Sequence, residues 1–81
     1  MEEIVSSVKE FILREFLPGE DPDALTESTP LIAGGILDSL ATLKLVSFLE
    51  ERFKIAIAPH ETDEEHVGTI ADIVRLVQSK R

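Results

Sequence analysis

The chain has 81 residues, the size of one small domain, and leaves no room for a second. Sixteen acidic and eight basic residues give a formal net charge of −8, which disfavours nucleic acid and anionic membrane surfaces as partners. Cysteine is absent, so neither a disulfide nor a thiolate metal site can stabilise the fold. No apolar run approaches a membrane span, and the acidic start lacks the basic region of a signal peptide, so we expect a soluble, cytoplasmic protein.

Apolar residues recur at helical spacing in the first part of the chain and predict helix 1 over about residues 3–16. Pro18 and Gly19 end this helix. No periodicity follows before the second helix, so residues 17–38 are predicted to form a loop. Loops of this length are uncommon in compact domains and are often functional or held by apolar anchors. The candidate anchors are Leu25, Leu31, Ile32, Ile36 and Leu37.

Asp38 is a suitable N-cap for helix 2, which is predicted over about residues 39–53 because this stretch lacks glycine and proline. Its apolar face is assigned to Leu43, Leu45, Val46, Leu49 and Phe53. At about 100° per residue, the opposite strip consists of Leu40, Lys44, Ser47 and Glu51. Leu40 is therefore predicted to be an apolar residue on a solvent-facing surface.

The last third of the chain predicts a connector at residues 54–59 and two further helices. The sequence from Thr62 to Glu65 has the spacing of a capping box, which favours a short helix 3 over about residues 62–67. Thr69 and Asp72 repeat this spacing ahead of helix 4, predicted over about residues 70–79. Three amphipathic helices and a short one predict an all-α fold, a small antiparallel bundle that forms one domain over residues 1–81.

The sequence lacks the usual signatures of catalysis and metal binding. Ser39 has no G-x-S-x-G context, and nothing designates His60 or His66 as its base. Gly34 and Gly35 lack the residues that complete a phosphate-binding loop. The acidic residues near the histidines lack HExxH and EF-hand spacing, and a solvated helix face explains them better. A weaker alternative is a divalent-cation site that uses Asp63, Glu64 and Glu65.

The segment from Gly34 to Leu40 is a glycine-bearing loop that delivers Ser39 to the start of helix 2. It resembles the attachment motif of acyl carrier proteins and of the related aminoacyl and peptidyl carriers, whose core is Asp-Ser-Leu. The resemblance extends over the whole chain, because the order of helices, long loop, I-x-I-x-P connector and short acidic helix is that of the family.

The resemblance implies that Ser39 receives 4′-phosphopantetheine from coenzyme A, through a separate phosphopantetheinyl transferase. Asp38 would help the transferase to recognise the site and its metal-bound coenzyme A. Helix 2 would dock partners, with contacts from Leu40, Ala41, Lys44, Ser47 and Glu51. The resemblance also implies that the protein is not an enzyme and that it is a monomer. It would present a thioester to an acyl or aminoacyl ligase or transferase, and to downstream synthase enzymes.

Helix 2 departs from the fatty acid synthesis carriers that it resembles, which usually show acidic residues along its exposed side. Here Ala41, Lys44 and Ser47 precede the acidic pair Glu50 and Glu51. This difference favours a specialised, discrete acyl carrier in a fatty acid, polyketide or lipid-modifying pathway. The alternatives are an aminoacyl or peptidyl carrier loaded by an adenylating ligase, and an unmodified helical adaptor that binds a partner helix through Leu40.

Overall fold

The computed structural model describes residues 2–81, with the side chains of residues 2 and 22 excepted. No strand is present in this part of the chain, which confirms the predicted all-α class. None of the described helices is long and apolar enough to span a bilayer. The elements are helices α1 (Glu2–Phe16), α2 (Ser39–Phe53), α3 (Glu64–Val67) and α4 (Ile70–Lys80), with 3₁₀ turns at Pro22–Ala24 and Pro59–Glu61.

Helices α1 and α4 form the middle of the packing, because they contact each other, α1 also contacts α2, and α4 also contacts α3. Each helix turns an apolar stripe inward, as the spacing of its apolar residues requires. No polar or charged side chain is buried among the residues whose burial is described. The fully buried side chains of the core are Val8, Ile12, Leu25, Leu31, Leu45, Leu49, Val67, Ile70, Ile73 and Val77.

The long loop between α1 and α2 is held by buried leucines and by a tight turn. The backbone N–H groups of Ile36 and Leu37 both donate to the carbonyl of Leu31, each at 2.9 Å. Gly34 is required there because an added Cβ would collide with a backbone carbonyl, and Gly35 because its φ is +80°. The anchors Leu31 and Leu37 are buried, as predicted, so the chain enters α2 from a fixed position.

The helix caps explain where α2, α3 and α4 begin. Asp38 and Thr69 cap α2 and α4 with their side chains, as the sequence predicts. The prediction that Thr62 caps α3 is wrong, because the Asp63 carboxylate accepts from the backbone N–H of His66 at 3.1 Å. The Thr62 hydroxyl instead donates to the carbonyl of Pro59 and closes the preceding 3₁₀ turn.

The inward face of α2 differs from the predicted one. Ala41, Leu45 and Leu49 are buried at i, i+4 and i+8, whereas Leu43 is 62% exposed. Leu43 lies about 160° around the helix from Leu45, so its apolar character does not bring it into the core. The assignment of Leu43 to the buried face was therefore wrong, because it relied on the apolar side chain and not on the position of the residue around the helix.

Leu49→Ala should lower the free energy of unfolding by about 2–5 kcal/mol, because the Leu49 side chain is fully buried. Leu40→Ala is the matched control on the same helix, and it should cost under ~1 kcal/mol because Leu40 is 63% exposed. Urea denaturation of the two variants measures both values. Equal losses would contradict the observed orientation of α2.

Candidate functional site

Ser39 is the first residue of α2, and its position is set by the cap that precedes it. The Asp38 Oδ1 atom accepts from the backbone N–H of Ala41 at 2.8 Å. The Asp38 carbonyl accepts from both the backbone N–H and the hydroxyl of Thr42, at 2.9 and 2.8 Å. Both polar groups of Asp38 thus hold the first turn of the helix, and Ser39 stands exposed beside them.

The backbone around Ser39 suits an anionic substituent on its hydroxyl. Within residues 2–81, the backbone N–H groups of Ser39 and Leu40 donate no hydrogen bond. These two groups belong to the first turn of α2, where the helix dipole is positive. A phosphodiester on the Ser39 hydroxyl would therefore find free donors and a favourable field, so these residues fit a covalently attached 4′-phosphopantetheine.

A groove of about 630 Å³ runs beside Ser39, between the start of α2 and the start of α3. Ile32, Leu37 and Leu43 give it apolar walls, and its other lining residues are polar. A groove of this size is within the range of small-molecule sites in proteins. Its lining consists of Ile32, Leu37, Asp38, Ser39, Thr42, Leu43, Thr62, Asp63 and Glu64.

The residues predicted to contact partners are not all on one face. Leu40, Lys44, Ser47 and Glu51 are exposed on α2, as the helical wheel predicts. The inclusion of Ala41 is wrong, because its side chain is 8% exposed and packs into the core beside Leu45. Ala41 lies on the same stripe as Leu45, at i and i+4, so helical geometry gives it no access to a partner.

Sequence reasoning missed Leu43 and the α3 wall of the groove. Leu43 could have been found by centring the helical wheel on Leu45 and Leu49, which turns it outward. Thr62, Asp63 and Glu64 carry no signal that places them near Ser39, because the two segments are more than twenty residues apart in sequence. Their proximity follows from how α3 packs on α4 and the loop.

The acidic cluster near α3 is organised by hydrogen bonds. Asp63 Oδ1 lies 2.6 Å from His66 Nδ1, and Glu61 Oε1 lies 2.6 Å from Lys80 Nζ. The bond with Lys80 lowers the pKa of Glu61. No group of three His, Asp or Glu side chains within residues 2–81 could hold a metal ion, which argues against a cation site at Asp63, Glu64 and Glu65.

The chain matches a family of known proteins over most of its length. Residues 12–77 match the family described as phosphopantetheine attachment site. The probable acyl carrier protein PigG of Serratia sp. is 39% identical over 67 residues, which are 83% of this chain and 76% of that protein. The acyl carrier protein of Wolinella succinogenes is 28% identical over 78 residues, 96% of this chain and 97% of that one.

A solved structure has a similar fold. One chain of a crystal structure described as that of an FAD-dependent dehydrogenase superposes with a TM-score of 0.78 and is 33% identical. The match covers 86% of this chain and 97% of that chain.

The pair of Asp63 and His66 gives α3 a dependence on pH. The hydrogen bond between them raises the pKa of His66 above 6.5 and lowers the pKa of Asp63 below 3.8. The contribution from His66 is complete below pH 6.5 and is lost as pH rises through its raised pKa. The contribution from Asp63 is complete above pH 3.8 and is lost as pH falls through its lowered pKa. The pair therefore stabilises α3 most fully between these two values.

In an NMR titration, the imidazole of His66 should show a midpoint above 6.5. Asp63→Asn should move that midpoint back toward 6.5, because the amide removes the negative charge but can still cap the helix. The same midpoint in both proteins would show that Asp63 does not set the protonation of His66.

Proposed function

The chain belongs to the family of acyl carrier proteins with a phosphopantetheine attachment site, and we propose that its attachment residue is Ser39. Members carry 4′-phosphopantetheine covalently on a serine. When bound, the arm supplies a terminal thiol that holds an acyl group as a reactive thioester. The observation that carries the assignment is the place of Ser39, exposed at the start of α2 beside the groove and two free backbone N–H groups.

The residues next to Ser39 fix its position and suit a phosphodiester on its hydroxyl, but they do not activate the hydroxyl. No histidine lines the groove, and an unassisted serine hydroxyl is a weak nucleophile. The base and the metal ion for attachment therefore come from a phosphopantetheinyl transferase. Asp38 uses Oδ1 for the cap, and its Oδ2 atom has no partner in the described part of the chain, which supports a contact with the transferase site. The protein presents cargo and catalyses nothing itself.

We propose that the cargo is an acyl group of a specialised pathway in the cytoplasm, where coenzyme A supplies the arm. The lysine on the exposed face of α2 supports a pathway other than general fatty acid synthesis. The partners are then an acyl ligase or transferase and downstream synthase enzymes. An aminoacyl or peptidyl carrier, loaded by an adenylating ligase, is the alternative for the cargo.

The likeness to a chain in an FAD-dependent dehydrogenase structure favours a flavin dehydrogenase as a further partner. A thioester acidifies the hydrogen on its α-carbon, so a base can remove that proton while the flavin accepts a hydride from the β-carbon. One carbon–carbon double bond would form, FAD would be reduced to FADH⁻ by the hydride, and the base would hold the abstracted proton. This partner requires a cargo with hydrogen on both carbons.

Incubation with coenzyme A, Mg²⁺ and a broad-range phosphopantetheinyl transferase should add one 4′-phosphopantetheinyl unit to the chain, measured as intact mass. Ser39→Ala should abolish the gain, because the substitution removes the hydroxyl that is modified. Ser47→Ala is the matched control on α2 and should keep a modifiable Ser39. No gain in the parent would contradict the proposed function and favour the unmodified adaptor. A gain that survives Ser39→Ala would contradict Ser39 as the attachment residue.

Thermal melts of loaded forms should separate the two kinds of cargo. An octanoyl thioester should raise Tm above that of an acetyl thioester, because the groove beside Ser39 offers apolar walls from Ile32, Leu37 and Leu43. Prolyl and alanyl thioesters, whose ammonium group resists apolar burial, should give no such increase. Equal Tm values for octanoyl and acetyl forms would contradict an acyl cargo held in the groove.

A further inference from the structure

The two threonines that line the groove beside Ser39 have already used their hydroxyl protons. A threonine hydroxyl has one proton to donate and two lone pairs that accept. The Thr42 hydroxyl donates to the carbonyl of Asp38, and the Thr62 hydroxyl donates to the carbonyl of Pro59, each at 2.8 Å. Both threonines therefore face a ligand as hydrogen-bond acceptors.

The other polar side chains of the lining, apart from the attachment serine, are carboxylates. They are Asp38, Asp63 and Glu64, and an ionised carboxylate is an acceptor only. The hydrogen bond with His66 lowers the pKa of Asp63, which keeps this group charged at neutral pH. Within residues 2–81, no lysine, arginine or histidine lines the groove, because Lys44 and His66 lie outside it. The lining thus combines three carboxylates with no base.

Backbone donors do not offset this excess of acceptors. The free N–H groups of Ser39 and Leu40 lie at the attachment point, where they suit the phosphodiester of the arm. At the start of α3, Glu64 and Glu65 occupy the first turn, and their charges offset the positive end of this four-residue helix. An anionic cargo therefore meets repulsion along the α3 side of the groove.

The apolar walls add a second requirement. Ile32, Leu37 and Leu43 line the groove, and a charged group placed against them loses its hydration. An ammonium donor is therefore less suited to the groove than a neutral hydroxyl. A ketone brings only an acceptor, which would stay unpaired among the acceptors of the lining.

We propose that the groove selects cargo by charge and by hydrogen-bonding group. It accepts neutral acyl groups that carry a hydroxyl donor, and it excludes acyl groups that carry a carboxylate. This inference rests on the proposed function, because the cargo is the acyl group that the arm on Ser39 holds. Thr42, Thr62 and Glu64 supply acceptors for the hydroxyl proton, and Glu64 with Asp63 repels the carboxylate.

The first test compares loaded forms that share the arm and the length of the acyl chain, so that differences in Tm come from the cargo. A broad-range phosphopantetheinyl transferase loads the apo-protein from the coenzyme A thioesters, and intact mass establishes complete loading. The 3-hydroxyoctanoyl form should melt about 2–8 °C above the 3-oxooctanoyl form, because only the hydroxyl can donate to the lining. Equal Tm values would overturn selection for a donor.

The exclusion of carboxylates is tested with octanedioyl and octanoyl thioesters. At low salt, the octanedioyl form should melt about 2–8 °C below the octanoyl form, because its distal carboxylate is repelled by the acidic lining. The difference should shrink at high salt, where charges are screened. An octanedioyl form as stable as the octanoyl form at low salt would overturn the exclusion.

Glu64→Gln assigns the selection to the groove, because the amide adds a donor and removes a charge with little change of shape. With each loaded form referred to its own unloaded holo-protein, this variant should reduce both Tm differences to about half. Glu65→Gln is the matched control, because Glu65 is also exposed in the first turn of α3 but lines a different depression, with Asp72 and Arg75. The same reduction in both variants, or in neither, would overturn the role of Glu64.

Failure of this inference is distinguishable from failure of the proposed function. If the parent protein gains no phosphopantetheinyl unit, the carrier function and the cargo selection both fail. If the parent is loaded at Ser39 but melts at one temperature with all the cargoes of equal length, the carrier function stands and the selection by the groove is wrong.

Discussion

The hydrogen bond from the backbone N–H of Leu31 to the carbonyl of Gly68, at 2.7 Å, joins the long loop to the start of α4. Leu31 also accepts the two bonds that close the turn before α2, so one residue links three parts of the fold. Its side chain is fully buried, which keeps these polar groups away from competing water. The hydrogen bonds of Leu31 thus fix the position of the exposed Ser39 relative to α4, although the twenty-two residues before Ser39 form no long helix.

Helical periodicity, caps and the apolar anchors of the loop were predictable because each depends on residues close in sequence. The bounds of α2 and the role of Asp38 as its cap illustrate this. The exposure of Leu43 was predictable in principle, since it follows from the wheel once Ala41 is recognised as buried. The groove was not predictable, because its two walls come from segments that meet through the packing of α3 against α4.

Helix α3 differs from the other helices in what stabilises it. It has four residues, of which Val67 alone is buried, and its first turn is held by Asp63 through the bonds to the backbone and ring of His66. Elements with few buried apolar contacts open at a low free-energy cost. Since Asp63 and Glu64 form part of the polar wall of the groove, any opening of α3 would change the width of the groove.

The net charge of a carrier and the charges that its partner senses at contact are different quantities. At physiological ionic strength the Debye length is about 8 Å, so charges beyond that range contribute little once two proteins have met. For an enzyme over Ser39, the relevant groups are then Asp63 and Glu64 on one side and Lys44 on the other, rather than the total of −8. The remaining acids act earlier, at long range and low salt, where they attract basic proteins of any kind. Under the proposed function, selectivity at contact depends on these few charges around Ser39 rather than on the total charge. Leu40 and Leu43 leave only a small apolar area exposed next to Ser39, and a small area suits the quickly reversed docking that the proposed function requires.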